Sequence, residues 1–98
     1  MYVSIRKYKV VPGATPELVK RVNEEFAPII SKTPGFIAYY GVDTGNDVVA
    51  SIGVFLTQSA AEESNRIAGD WVGKNIAPLI ENAADVTTGK VVVHKKSY

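Results

Sequence analysis

Cysteine is absent from the sequence, and histidine, methionine and tryptophan occur once each. Without a thiol there is no disulfide, no thiolate metal site, no iron–sulfur cluster and no cysteine nucleophile. His94 then has only carboxylates to complete a ligand set, so no resident metal is expected. No stretch approaches the roughly 18 apolar residues that a membrane span needs. The N-terminal MYVSIRKYKV has neither a long apolar core nor a small-residue cleavage site, so no signal peptide is expected. Charge of one sign is lacking too: 11 basic against 10 acidic side chains leave a net charge of +1. Nucleic-acid binding relies on clustered Lys and Arg, and the one local excess, Lys95-Lys96, reads as a solvated tail. Neither a glycine-rich phosphate loop nor a G-x-S-x-G elbow is present, which removes the basis for nucleotide binding and serine hydrolysis. A cytoplasmic protein with no nucleic-acid and no membrane partner is the expectation.

What is present fits a single domain over residues 1–98. Residues 2–11 (YVSIRKYKVV) are rich in β-branched and aromatic residues and predict a strand ended by Pro12-Gly13. Thr15, Pro16 and Glu17 mark a helix start, and Leu18, Val22, Phe26, Ile29 and Ile30 recur at helical spacing. Residues 36–43 and 48–57 predict two strands joined through Thr44-Gly45-Asn46-Asp47. Ser59 and Glu62 have capping-box spacing, and Ile67, Ala68, Trp71, Val72 and Ile76 form the stripe of a second helix. The last strand is expected at 90–96 (KVVVHKK). Phe26-Ala27-Pro28-Ile29-Ile30 returns as Ile76-Ala77-Pro78-Leu79-Ile80, a weak echo of two similar halves. The order β-α-β-β-α-β predicts an α+β, ferredoxin-like fold, with a four-stranded antiparallel sheet under two helices on one face.

That arrangement leaves the other face of the sheet bare. Strand three offers Val48, Ala50, Ile52, Val54 on one side and Val49, Ser51, Gly53, Phe55 on the other, so neither row is written for water. A second copy of the same sheet is the simplest cover, which predicts a homodimer. Adjacent strand residues point to opposite faces, so of Tyr39 and Tyr40 one faces the helices and the other the partner.

The sequence resembles the antibiotic-biosynthesis-monooxygenase-type family of dimeric α+β barrels along nearly its whole length. Pro34-Gly35-Phe36 leading into Tyr39-Tyr40, the run Val48–Phe55, Ala60–Ala68 before Asp70-Trp71-Val72, and Gly89–Val93 carry the resemblance. It implies a cofactor-free oxygenation of aromatic phenols to quinones, using an Asn and a Trp about one turn apart on the second helix, helped by Tyr and Arg. Trp71 matches. The residue four before it is Ile67, and the nearest upstream amide, Asn65, lies six before. The haem-degrading members use an Asn in strand one and a His far along the second helix, and neither is found at those places.

The site candidates follow. Trp71, Tyr39, Tyr40 and Asn65 are taken as substrate-binding, against plainer readings as core, packing and helix-surface residues. Ser4, Arg6 and Tyr8 share one face of strand one, so Arg6 either clamps a phenolate or lies at a dimer rim. Tyr8 and His94 are the candidate proton acceptors, with His94 otherwise a surface residue. Glu62–Arg66 and Asp70–Lys74 read as helix-surface ion pairs. Two functions are open at this point: a cofactor-independent monooxygenase acting on a small aromatic or phenolic compound, and a non-catalytic dimer that binds a hydrophobic small molecule.

Overall fold

A computed structural model describes residues 1–97. Strand β1 (Tyr2–Lys9) leads into a helical arm of α1 (Thr15–Arg21), a π turn (Val22–Phe26) and α2 (Ala27–Ile30). Strands β2 (Phe36–Gly45) and β3 (Val48–Phe55) follow, then α3 (Gln58–Asn75), a 3-10 turn (Ala77–Leu79) and β4 (Asp85–Lys90). The sheet order is β2-β3-β1-β4 with every pairing antiparallel. This is the ferredoxin-like α+β arrangement, with its helices on one face of the sheet.

Local chemistry explains most of the path. Pro28 has no N–H, and its ring would strike the carbonyl four residues back, so the arm cannot run through it as regular α-helix. The chain widens upstream instead: the Ala27 N–H reaches the Val22 carbonyl, five residues back. Asn46 and Asp47, at φ 56° and 59°, make the two-residue loop that closes the β2–β3 hairpin. Thr57, rather than Ser59, caps α3, its Oγ1 accepting from the Ala60 N–H at 3.1 Å. The hydroxyl of Thr15 ties the start of α1 to the hairpin instead of capping it, donating to Asp47 at 3.3 Å. On α3, Arg66 pairs with Glu63 rather than Glu62, because the shorter step already satisfies its guanidinium. The Asp70–Lys74 pair forms at 3.2 Å.

The last strand lies earlier than its valines suggest. Tyr2 pairs with Lys90, and the Val91 N–H reaches the Met1 carbonyl at 2.9 Å, so the ladder of β1 has no further residue to offer. Residues 91–97 leave the sheet, and Val92 and Val93 are each 84% exposed. The pairing segment is the polar DVTTGK, as suits an exposed sheet edge.

Register assigns the two faces. Tyr2, Ser4, Arg6 and Tyr8 stand opposite Phe55, Gly53, Ser51 and Val49, and Tyr39 stands opposite Gly53. This row faces the helices and holds the core around Phe55, with Ile30, Ile76 and Val10 also fully buried. Gly53 must be glycine, since a Cβ there would fall 2.7 Å from the Phe55 ring. A bulge between Phe36 and Ala38 shifts the register. Strict alternation would put Phe36 in one row with Ala38 and Tyr40. The bulge sends Phe36 to the helix side, where it packs edge-on against Phe55 at 6.1 Å. Ala38, Tyr40, Val42, Ala50, Ile52, Val54, Val3 and Ile5 make up the other face.

Candidate functional site: an aromatic cavity over the sheet

A cavity of about 850 Å³ lies between the helical arm and strands β2 and β3. Leu18, Val22 and Phe26 of the arm form one wall, and Ala68, Trp71 and Val72 of α3, with Ile76 just past its end, form another. Tyr8, Val49, Ser51 and Tyr39 form the sheet-side floor. The π turn matters here, because Val22, Asn23 and Phe26 belong to it and all line the space. The Phe26 ring sits 5.3 Å from Trp71 and 5.7 Å from Tyr39, so three aromatic side chains form one continuous surface. Such a wall suits a flat apolar guest.

Behind the floor is a polar network. Arg6 donates from Nε to the Tyr8 hydroxyl oxygen at 2.8 Å and from a terminal nitrogen to Asn65 Oδ1 at 3.3 Å. Ser4 donates to the same Asn65 oxygen at 2.5 Å, and Asn65 Nδ2 donates to Thr88 at 3.1 Å. Strands β1 and β4 and helix α3 are thus joined through one amide. Among the described residues, no buried side-chain nitrogen or oxygen lacks a partner. Because Tyr8 accepts from Arg6, its own hydrogen remains available to a guest in the cavity.

Tyr39 is held in its neutral form. Burial is the largest cause and raises its hydroxyl above the usual value of 10.0; Tyr8 adds to this, while a Ser51 hydrogen bond and the Arg6 charge oppose it. Tyr39 is therefore a hydrogen-bonding phenol rather than a base. A raised value means that its stabilising share is complete below pH of about 10 and is lost as pH climbs through the raised value. Tyr39→Phe should accordingly show a shallower alkaline fall in stability than the parent, measured by urea unfolding across that range. An identical slope would contradict the assignment.

The sequence candidates sort clearly in space. Trp71, Tyr39 and Tyr8 line the cavity. Arg6 stands one layer behind, against Tyr8 and Asn65, and does not reach the main cavity. Asn65 likewise faces β1 and β4 rather than the cavity. Tyr40 belongs to the opposite face of the sheet and is 58% exposed, because the alternation that turns Tyr39 inward turns its neighbour outward. His94 lies in the exposed 92–97 segment, outside the sheet and away from the cavity lining. Phe26 and Ser51 are additions. Ser51 was signalled as the one polar residue in an otherwise apolar alternate row, and Phe26 only as a member of a helical stripe.

No family model matches the chain, and no curated protein matches it. Solved structures do. A protein of unknown function from Nitrosomonas europaea, NE2512, superposes with a TM-score of 0.81 at 14% identity, over 99% of this chain and 94% of its own. A candidate antibiotic biosynthesis monooxygenase from the same organism gives 0.76 at 15% identity, over 95% of this chain and all (100%) of its own. The fold is that of the antibiotic biosynthesis monooxygenase type. The haem degrader MhuD from Mycobacterium tuberculosis, solved with two haems in its active site, shares this fold at TM-score 0.77 and 21% identity. That match covers 98% of this chain and 100% of MhuD. At such identities the likeness carries the monooxygenase-type fold and not its chemistry.

Haem does not fit the residues of this cavity. Its iron takes His, Cys, Met or Tyr as axial ligand, and the lining holds no His, Cys or Met. That leaves only its two tyrosines, of which Tyr39 resists losing its proton through burial. Titration with haem should give no ligated Soret band. A tight one-to-one complex, lost in His94→Ala, would contradict this.

Proposed function

We propose that the protein is a cofactor-independent monooxygenase that converts a small, flat phenolic compound to a quinone. One observation carries the reading: an aromatic-walled cavity whose floor presents the Tyr8 hydroxyl, backed by the Arg6 cation at 2.8 Å. In this reading the guest lies against Phe26 and Trp71 with its hydroxyl on Tyr8 and Tyr39. Tyr8 donates its hydroxyl hydrogen to the substrate oxygen while the substrate proton passes to solvent, and Arg6 supplies positive charge behind the developing phenolate. The electron-rich ring carbon then reacts with dioxygen to form a C–O bond. Loss of the ring hydrogen and cleavage of the O–O bond give the quinone. One phenol and one dioxygen yield one quinone and one water, with no outside reductant. The protein contributes orientation, proton handling and exclusion of water.

The test is oxygen uptake with a panel of hydroxynaphthalenes and hydroxyanthracenes, with quinone absorbance followed in parallel. One dioxygen consumed per quinone, with no added cofactor, supports the proposal; no uptake above the protein-free rate across the panel would contradict it. A second reading, a non-catalytic small-molecule-binding dimer, is favoured by Asn65. Its amide is engaged by Ser4, Arg6 and Thr88 instead of being offered to a guest.

The dimer is part of the proposal under both readings. Ile5, Tyr40 and Val42 lie exposed on the outer sheet face, among Ala50, Ile52 and Val54. A self-complementary two-fold contact would bury this face against its copy. Sedimentation at micromolar concentration should give twice the 10.6 kDa chain mass, and Ile52→Lys should give monomers. A parent protein that sediments as a monomer would refute the contact. We place the protein in the cytoplasm, since an unstapled small domain suits a reducing compartment. No helix among the described residues is long and apolar enough to cross a membrane.

A further inference from the structure

Charge at the cavity is unevenly placed. Its depth is lined by aliphatic and aromatic side chains with the hydroxyls of Tyr8, Tyr39 and Ser51, while its charged residues are Lys20, Lys32 and Asp43 alone. Asp43 accepts the Gly45 N–H at 2.9 Å and serves the hairpin turn. No ion pair or side-chain hydrogen bond engages Lys20 or Lys32 among the described residues. Both are exposed, so they stand where the cavity meets solvent.

Helix chemistry does not account for Lys20. A cation is favoured at the end of a helix, but the arm continues past α1 through the π turn to Ile30. The adjacent Arg21 shows the contrast. It lies off the cavity and is engaged twice, with Glu25 at 3.2 Å and the Asn75 carbonyl at 2.8 Å. Lys32 follows the true end of the arm, where the dipole offers it some support, yet it too turns to the cavity. Arg6 does not take the part of an anion clamp, because it stands outside the cavity lining and directs two of its three nitrogens to Tyr8 and Asn65.

We infer that the ligand is an aromatic acid: a flat phenolic body held by Phe26, Trp71 and Tyr39, and a carboxylate or equivalent anionic tail reaching the mouth at Lys20 and Lys32. This rests on the cavity reading above and adds the chemical class of the tail. The two ends of the cavity thereby fix one orientation, with the phenol inward at Tyr8 and the acid outward. Exposed lysine–carboxylate pairs are individually weak and salt-screened. The preference is thus expected to be modest, and the apolar body supplies most of the affinity.

The probes are 2-naphthol and 6-hydroxy-2-naphthoic acid, which share a ring system and hydroxyl and differ by the carboxylate. Calorimetric titration at low salt should show the acid binding roughly three- to tenfold more tightly. That advantage should shrink with added salt and vanish in the double variant Lys20→Gln/Lys32→Gln, in which 2-naphthol affinity is unchanged. Equal binding of the two probes by the parent protein would overturn the inference while leaving the phenol-binding proposal intact. An advantage that survives in the double variant would also overturn it, placing the anion elsewhere. Binding of neither probe would overturn both.

Discussion

Trp71→Ala is expected to lower the unfolding free energy by about 3 kcal/mol, the low end for removing a large aromatic from a core. Trp71 is 8% exposed and packs on Phe26 at 5.3 Å, so truncation strips an aromatic contact and merges its volume with the adjoining cavity. The low end applies because one side of the indole already borders open space and has fewer packing partners to lose. For a domain whose whole stability is about 5–15 kcal/mol, that is a large fraction. Trp71→Phe keeps most of the apolar volume and should lose under about 1.5 kcal/mol. Urea unfolding of the three proteins measures both. If Trp71→Ala were as stable as Trp71→Phe, the indole would not be a packed wall.

Tyr8→Phe should abolish most of the proposed turnover while leaving binding nearly intact. Removing a positioned hydrogen-bond donor to a developing oxyanion typically reduces rate by a factor of about 10²–10³, whereas the ring of Tyr8 keeps its place in the core. The expected signature is a fall in kcat with little change in KM, because the phenol ring still packs on Phe26 and Trp71. Arg6→Met should show a similar split. It removes the cation behind Tyr8 and one of the two donors to Asn65 Oδ1. Oxygen-uptake kinetics on the best substrate of the panel distinguish the outcomes. A Tyr8→Phe enzyme with unchanged kcat would take Tyr8 out of the chemistry.

Local signals carried much of the fold. The β-branched and aromatic composition of β1 and β3, helical spacing from Leu18 to Ile30, and the Asn-Asp hairpin loop each act within a few residues, so they can be read without tertiary contacts. The alternation rule also separates Tyr39 from Tyr40. Three features were beyond it. The π turn before Pro28 exists because a whole arm must keep packing on the sheet past a proline, and no local spacing announces it. The bulge after Phe36 moves that ring from one face to the other, and a strict period of two cannot show this. KVVVHKK has the stronger strand propensity, yet β4 is DVTTGK, because the length of β1 decides which residues find a partner.

The site was less legible for the same reason. Arg6, Tyr8 and Asn65 meet across 59 residues of chain, and the outcome depends on which face of α3 lies over β1. Spacing placed Asn65 on a different face from Trp71, and in the structure it turns to the strands rather than to the cavity. His94 was attractive through its side-chain chemistry alone, which says nothing about position. Ser51 was visible as the odd polar residue in an apolar row, though its role beside Tyr39 needed the register of β2 on β3.

The central claim is that a flat hydroxylated aromatic occupies the cavity against Trp71. As the sole tryptophan, Trp71 reports on this directly through its emission during titration with hydroxynaphthalenes and the matching naphthoquinones. Occupancy predicts saturable quenching or a spectral shift, with weaker affinity in a Val22→Trp/Trp71→Phe variant, where the added indole crowds the cavity and serves as the new reporter. Emission that stays constant up to the solubility limit of every compound would contradict the claim, and the oxygenase proposal would fall with it.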